Sequence, residues 1–228
     1  MILVAHRGDP RHAPENTLAS FRAAADRGAG AVEMDLRRTA GGAWVVFHDP
    51  IPSRSSGEAI LPLSEALEFC RARRLRVFLD IKVNDGEKPL AARLRSSGWL
   101  RHCVLLAGQL PTLRRWRRLF PRQPLFWVTG FRHPVRPRDI AQAGRLRLTG
   151  FVSYRRWVNR RTLERVHRAG LEIYVWTVRT SADLQRFARL GVDGIMSEVW
   201  PHHLPCPPKA DGPSGRSRRR NRISRVAG

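Results

Sequence analysis

Four stretches of the chain bring acids, histidines or a lysine to an apolar, strand-like run. The run 2–5 (ILVA) leads straight into His6-Arg7-Gly8. The run 31–36 (AVEMDL) carries Glu33 and Asp35 two residues apart. In an extended strand both carboxylates then point to one side, while Val32, Met34 and Leu36 point to the other. Two adjacent acids repel unless a proton or a cation lies between them, which points to a hard-metal site. The run 44–47 ends in His48-Asp49, and 76–81 (RVFLDI) ends with Asp80 and then Lys82, again on one face. Only Lys82, Lys88 and Lys209 among the 42 basic residues are lysines. A compact ammonium at position 82 suits a place beside a phosphate. Singly, these features read as a satisfied structural histidine, a half-exposed strand face and an ordinary ion pair. Their recurrence at four strand ends argues for one shared catalytic site.

The elements that must position them alternate. Further strand-like runs lie at 103–107, 124–128, 150–153, 172–177 and 193–196, with amphipathic stretches between. Residues 17–27 put Leu18, Phe21 and Ala25 on one face and stop at Gly28. Residues 160–169 stop at Gly170; residues 181–190, with Ser181 as the expected N-cap, turn Leu184, Phe187 and Ala188 inward and stop at Gly191. Strand–helix alternation implies βαβ units and a parallel sheet. With 44–47 taken as a hairpin arm behind Gly41-Gly42, eight repeats remain, the count of a closed (β/α)₈ TIM barrel with its site at the strand C-terminal ends. A doubly wound open sheet is the alternative, but no G-x-G-x-x-G follows the first strand.

HRG at 6–8, PENT at 14–17, E-x-D at 33–35, HD at 48–49, DIK at 80–82, VWTV at 175–178 and GVDGIMS at 191–197 together resemble the glycerophosphodiester phosphodiesterases. The match runs in order over roughly residues 2–200. It implies a (β/α)₈ barrel, a divalent cation (Mg²⁺ or Ca²⁺), and hydrolysis of a glycerophosphodiester to glycerol 3-phosphate and an alcohol. By position it makes His6 and His48 the acid–base pair, Glu33, Asp35 and Asp80 the metal ligands, and Arg7 and Lys82 the phosphate-binding cations. Trp176 falls where the family has an aromatic lining the pocket.

The chain departs from the family pattern in two places. Asp80 replaces the usual glutamate, one methylene longer, so the cation must shift, a water must bridge, or affinity must fall. The subdomain commonly inserted after the HD motif is nearly absent, because 63–73 of the intervening 50–75 carry the ordinary helix pattern. A short lid and a basic surface also fit a lysophospholipase D or sphingomyelinase D-like activity on the same barrel. A non-enzymatic alternative is a basic scaffold that binds nucleic acid.

Three other features are assigned plainer roles. Glu15 and Asn16 are expected to start the first helix, and His12 to sit in a solvent-exposed loop. The arginines at 114, 115, 117 and 118 are expected on the outer face of a helix whose inner face is Leu113, Trp116 and Phe120.

Composition sets the remaining bounds. Hydrophobic residues make up 42% of the 228, enough for a packed domain, which we place at 1–200. No run approaches the roughly 18 apolar residues of a membrane span. The N-terminus lacks a basic n-region and reads as a strand. Cys70, Cys103 and Cys206 lie far apart without a C-x-x-C, which argues for free thiols and a cytoplasmic location. Net charge is +23. From Pro201 the pattern dissolves into Pro, Gly, Ser and Arg, predicting a disordered basic tail over 201–228. Lys209 to Gly228 carries seven basic residues against Asp211, and that charge predicts weak contact with anionic membrane or nucleic acid.

Overall fold

Period-two alternation in the apolar runs gives each strand two buried faces, one for helices and one for a closed interior. A computed structural model of the chain describes residues 1–51, 60–131 and 133–200. Residues 52–59 of the short excursion and the whole 201–228 tail, Cys206 included, lie outside the described residues. The strands are β1 (Ile2–His6), β2 (Ala31–Arg38), β3 (Trp44–Val46), β4 (Leu61–Pro62), β5 (Arg76–Ile81), β6 (Cys103–Ala107), β7 (Leu125–Thr129), β8 (Gly150–Tyr154), β9 (Glu172–Val178) and β10 (Gly194–Ser197). Between them run α1 (Leu18–Asp26), α2 (Leu63–Ala72), α3 (Glu87–Ser96), α4 (Leu110–Leu119), α5 (Pro137–Arg145), α6 (Arg160–Arg168) and α7 (Ser181–Leu190).

Eight parallel strands close in the order β1-β10-β9-β8-β7-β6-β5-β2, with β2 pairing back onto β1. This is the expected (β/α)₈ barrel. β3 pairs antiparallel with β2, so 44–47 is the hairpin arm the Gly41-Gly42 turn implied. The two-residue β4 adds a third antiparallel strand that the sequence did not signal, because Leu61–Pro62 is too short to show a period.

Val32, Met34 and Leu36 face the helices in the larger core, whereas Val4, Phe78, Phe126, Tyr174 and Met196 fill the barrel. The interior needs its small residues too. A Cβ at Gly194 would lie 2.0 Å from the Tyr174 ring, which itself packs edge-on to Phe126 at 4.8 Å.

The inner face of α4 packs as expected, with Leu113 and Trp116 buried and Phe120 stacked on Trp116 at 5.4 Å. Arg114 and Arg118 are exposed, but Arg115 and Arg117 are half-buried, because they reach sideways to Glu87 and to the carbonyls of Leu146 and Arg147. The expected cap at Ser181 is corrected to Thr180. Thr180 is the last extended residue, and its hydroxyl accepts from Asp183 N–H at 3.1 Å. Among the described residues no helix is long and apolar enough to cross a membrane.

Candidate active site

Barrel register brings the singled-out residues to one end. His6 pairs across β1–β2 with Glu33, and Asp35 pairs across β2–β5 with Asp80. β1 then breaks at a left-handed turn, with φ of 58° at Arg7 and 89° at Gly8. Position 8 has no room for a side chain: a Cβ there would come within 2.3 Å of Ser20 Oγ. Ser20 in turn donates to the Arg7 carbonyl at 2.9 Å, so the turn is clamped to the first turn of α1.

Asn16 belongs to the same clamp, which corrects its expected role. The helix cap is Thr17, in a capping box with Ser20. Asn16 instead donates to Asp35 Oδ2 at 2.9 Å and accepts from Asp35 N–H, while Glu15 pairs with Arg7 Nη1 at 2.7 Å. Both hold site residues in place. His12 is exposed as expected, but it pairs with buried Asp9 at 2.9 Å.

Glu33, Asp35 and Asp80 are all buried, and each offers a carboxylate oxygen within 4.8 Å of the other two. The shorter side chain at 80 therefore still joins the cluster. Lys82 Nζ lies 2.5 Å from Asp80 Oδ2 and 3.0 Å from Asp35 Oδ1; Arg7 Nε lies 3.0 Å from Asp35 Oδ2. The last two contacts are close ion pairs without hydrogen-bond alignment, which leaves Asp35 Oδ1 and Arg7 Nε buried and unbonded.

Burial and the charges of Asp35 and Asp80 push the Glu33 carboxyl well above its usual range, since Lys82 and Arg7 offset them only in part. Burial would raise Asp35 too, but Lys82, Arg7 and the Asn16 hydrogen bond outweigh it and hold Asp35 ionised. The same acids raise Lys82 against its own burial. Three hard oxygens, one of them unbonded and another held against ionisation by its neighbours, are a donor set suited to Mg²⁺ or Ca²⁺.

Each histidine meets a carboxylate through Nδ1. His6 is buried, with Nδ1 3.2 Å from Glu198 Oε1. Glu198 Oε2 receives Arg179 Nε at 2.9 Å. Burial opposes ionisation of Glu198, but the bonds from His6 and Arg179 prevail and bring its carboxyl down to about 2. The His48 Nδ1 lies 2.7 Å from Asp49 Oδ1, on the segment after β3. Two bonds fix that segment: Phe47 N–H to the Asp35 carbonyl, and Arg37 Nε to the His48 carbonyl at 2.7 Å.

His6, His48, Arg7, Lys82 and the three acids all line one cavity of about 220 Å³. Trp176 lines it as well, its Nε1 donating to the Thr129 carbonyl at 3.2 Å. All eight expected site residues thus meet. Trp176, Tyr154 and Phe131 form one wall, with ring centroids 4.5–5.8 Å apart. Phe131 is 61% exposed, more than any other large apolar side chain among the described residues.

Sequence reasoning missed Glu198, Arg179, Tyr154 and Phe131. Glu198 had a signal: it continues the alternation Gly194, Met196, 198 that marks the interior side of β10. Phe131 had none, because a loop has no period.

Known proteins share both sequence and fold with this chain. The model of the glycerophosphoryl diester phosphodiesterase family matches residues 6–78 and 79–199. The glycerophosphodiester phosphodiesterase of Caldanaerobacter subterraneus is 25% identical over 234 residues, covering 86% of this chain and 93% of its own. An Oleispira antarctica phosphodiesterase, solved in complex with the product sn-glycerol-3-phosphate, superposes with a TM-score of 0.76 at 20% identity, covering 87% of this chain and 93% of its own. The glycerophosphodiester phosphodiesterase of Agrobacterium tumefaciens does so with a TM-score of 0.73 at 23% identity, covering 87% and 96%. With residues 6–199 matched by that family model, the chain belongs to the glycerophosphoryl diester phosphodiesterase family and is a phosphoric diester hydrolase.

Proposed function

We propose that the chain hydrolyses glycerophosphodiesters to glycerol 3-phosphate and an alcohol, using a divalent cation and the His6–His48 pair. One observation carries this reading: both histidines line the same cavity as the three-carboxylate cluster and the cations Arg7 and Lys82. The product complex of the Oleispira neighbour supports the same substrate class.

Glu33, Asp35 and Asp80 would hold the cation. When bound, it supplies positive charge against the phosphoryl oxygens. Arg7 and Lys82, anchored on Asp35, grip the phosphate and offset charge that gathers in the transition state. With Nδ1–H given to a carboxylate, each histidine keeps Nε2 as the nitrogen free for the substrate. One takes the proton of the attacking hydroxyl, from substrate or water; the other protonates the departing alkoxide. Trp176 forms the apolar side of the pocket. The buried thiols of Cys70 and Cys103, each raised by burial to about 12, suit a cytoplasmic enzyme. The charge of the 201–228 segment suits weak attachment to anionic membrane or nucleic acid.

The experiment is turnover of glycerophosphocholine with and without EDTA, beside the His6→Ala, His48→Ala double variant. Each should lower kcat by a factor of about 10² or more. Full turnover in either case overturns the proposal.

A second reading, a diester that still carries an acyl chain, is favoured by the exposed Phe131 at the end of the aromatic wall.

A further inference from the structure

The assigned machinery leaves one ionic chain unused, running from buried His6 through half-buried Glu198 to exposed Arg179. Glu198 follows the last barrel strand, with its N–H bonded to the Val178 carbonyl at 2.9 Å. Its two oxygens are both engaged, Oε1 with His6 Nδ1 at 3.2 Å and Oε2 with Arg179 Nε at 2.9 Å. It stands behind the imidazole, outside the lining of the cavity, whereas His6 and Arg179 both line it.

A carboxylate in that place has three physical consequences. It fixes the ring plane, because a buried imidazole with one strong partner loses its rotational alternatives. It selects the tautomer with hydrogen on Nδ1, so the lone pair sits on Nε2. It also favours the imidazolium formed once a proton is taken up, as an aspartate does behind the histidine of a serine protease. Arg179 contributes by keeping Glu198 ionised and by occupying its second oxygen, which leaves Oε1 for the ring.

We infer that Glu198 is a positioning residue for this reaction, acting through His6 and itself held by Arg179. The inference rests on the proposed role of His6 as acid or base. An orienting partner of a ligating histidine is worth about 10–100-fold, and a fully buried triad aspartate about 10⁴-fold. Glu198 keeps a side-chain exposure of 16%, so the lower range applies.

The test is a double-mutant cycle on glycerophosphocholine at saturating Mg²⁺ or Ca²⁺, comparing Glu198→Ala, His6→Ala and the pair. Glu198→Ala should lower kcat by about 10–10²-fold, with KM and the cation concentration for half activity little changed. Added to His6→Ala, it should cost nothing more. A further loss in the pair, or full kcat in Glu198→Ala, overturns the inference. Full turnover by His6→Ala would instead overturn the proposed function, so the two failures are distinguishable.

If Glu198→Ala does not fold, Glu198→Gln keeps the shape and removes the charge. The ¹⁵N shifts of the His6 ring then report the tautomer directly. An Nδ1–H form in the wild type that becomes mixed in Glu198→Gln, with a matching fall in kcat, supports the inference. An unchanged His6 spectrum and unchanged kcat overturn it.

Discussion

Asp35 and Asp80 occupy directly paired positions on adjacent parallel strands, and the Lys82 ammonium bridges their carboxylates at 3.0 and 2.5 Å. With Glu33 beside them, three buried acids share two cationic side chains, and burial together with its acidic neighbours drives Glu33 away from ionisation. A divalent cation would relieve that imbalance.

Mg²⁺ or Ca²⁺ should therefore stabilise the folded chain, by about 2.7 kcal/mol when present at 100 times its dissociation constant. The midpoint of thermal unfolding should rise with cation concentration in the wild type and not in Asp35→Asn. Asp80→Glu should bring a carboxylate closer to the shared position and lower the concentration needed for half the effect. An unchanged or higher requirement would show that the strand register has already compensated for the shorter side chain.

Acid should weaken the fold partly through Glu198. Its carboxyl is held at about 2 in the folded chain against an ordinary 4.5, so the folded state favours the ionised form. The stabilisation from this group is complete above about 4.5 and is lost as pH falls toward 2. Denaturant unfolding of wild type and Glu198→Gln measures it. The difference between them should be constant near neutrality and shrink across that window. A difference that grows on acidification would contradict the sign.

Gly194→Ala should destabilise by about 1–3 kcal/mol, the usual cost of overpacking. The added methyl would strike the Tyr174 ring, which Phe78 and Phe126 hold at 5.8 and 4.8 Å. For a domain of this size that corresponds to a fall of roughly 2–4 °C in Tm per kcal/mol. Tyr174→Leu should restore part of the loss in the double variant. Strict additivity would mean that the two side chains do not compete for one volume.

The aromatic wall should discriminate substrates by what they carry beyond the phosphate. Phe131→Asp should lower kcat/KM for a lysophospholipid about tenfold, within the 1–3 kcal/mol range of modest pocket changes. Glycerophosphoethanolamine, which has no acyl chain to lie on the outer ring, should be turned over as before. Equal losses on both substrates would place Phe131 in the general architecture of the mouth.

Much of this was legible because strands have a period. Glu33 and Asp35 could be placed on the barrel side from alternation with Val32, Met34 and Leu36, and Asp80 from the face it shares with Lys82; the structure brings the three acids together. The eight-strand count followed from recognising one hairpin at Gly41-Gly42. What escaped has no such grammar. Asn16 looked like part of a helix start, yet its amide reaches 19 residues along the chain to Asp35. Tyr154 and Phe131 meet only because the end of β8 and the loop after β7 converge at the rim, a proximity set by closure and not by local pattern.

The pairing of His6 with Glu198 spans 192 positions, joining the first strand of the barrel to the residue after its last. During synthesis the acidic cluster, all of it within the first 80 residues, leaves the ribosome long before that partner exists. A nascent or C-terminally truncated chain could thus gather its carboxylates while His6 still lacks its anchor. Under the proposed role of His6, a chain that stops before Glu198 would carry the acidic cluster without an anchored histidine, and its turnover should fall at least as far as that of Glu198→Ala.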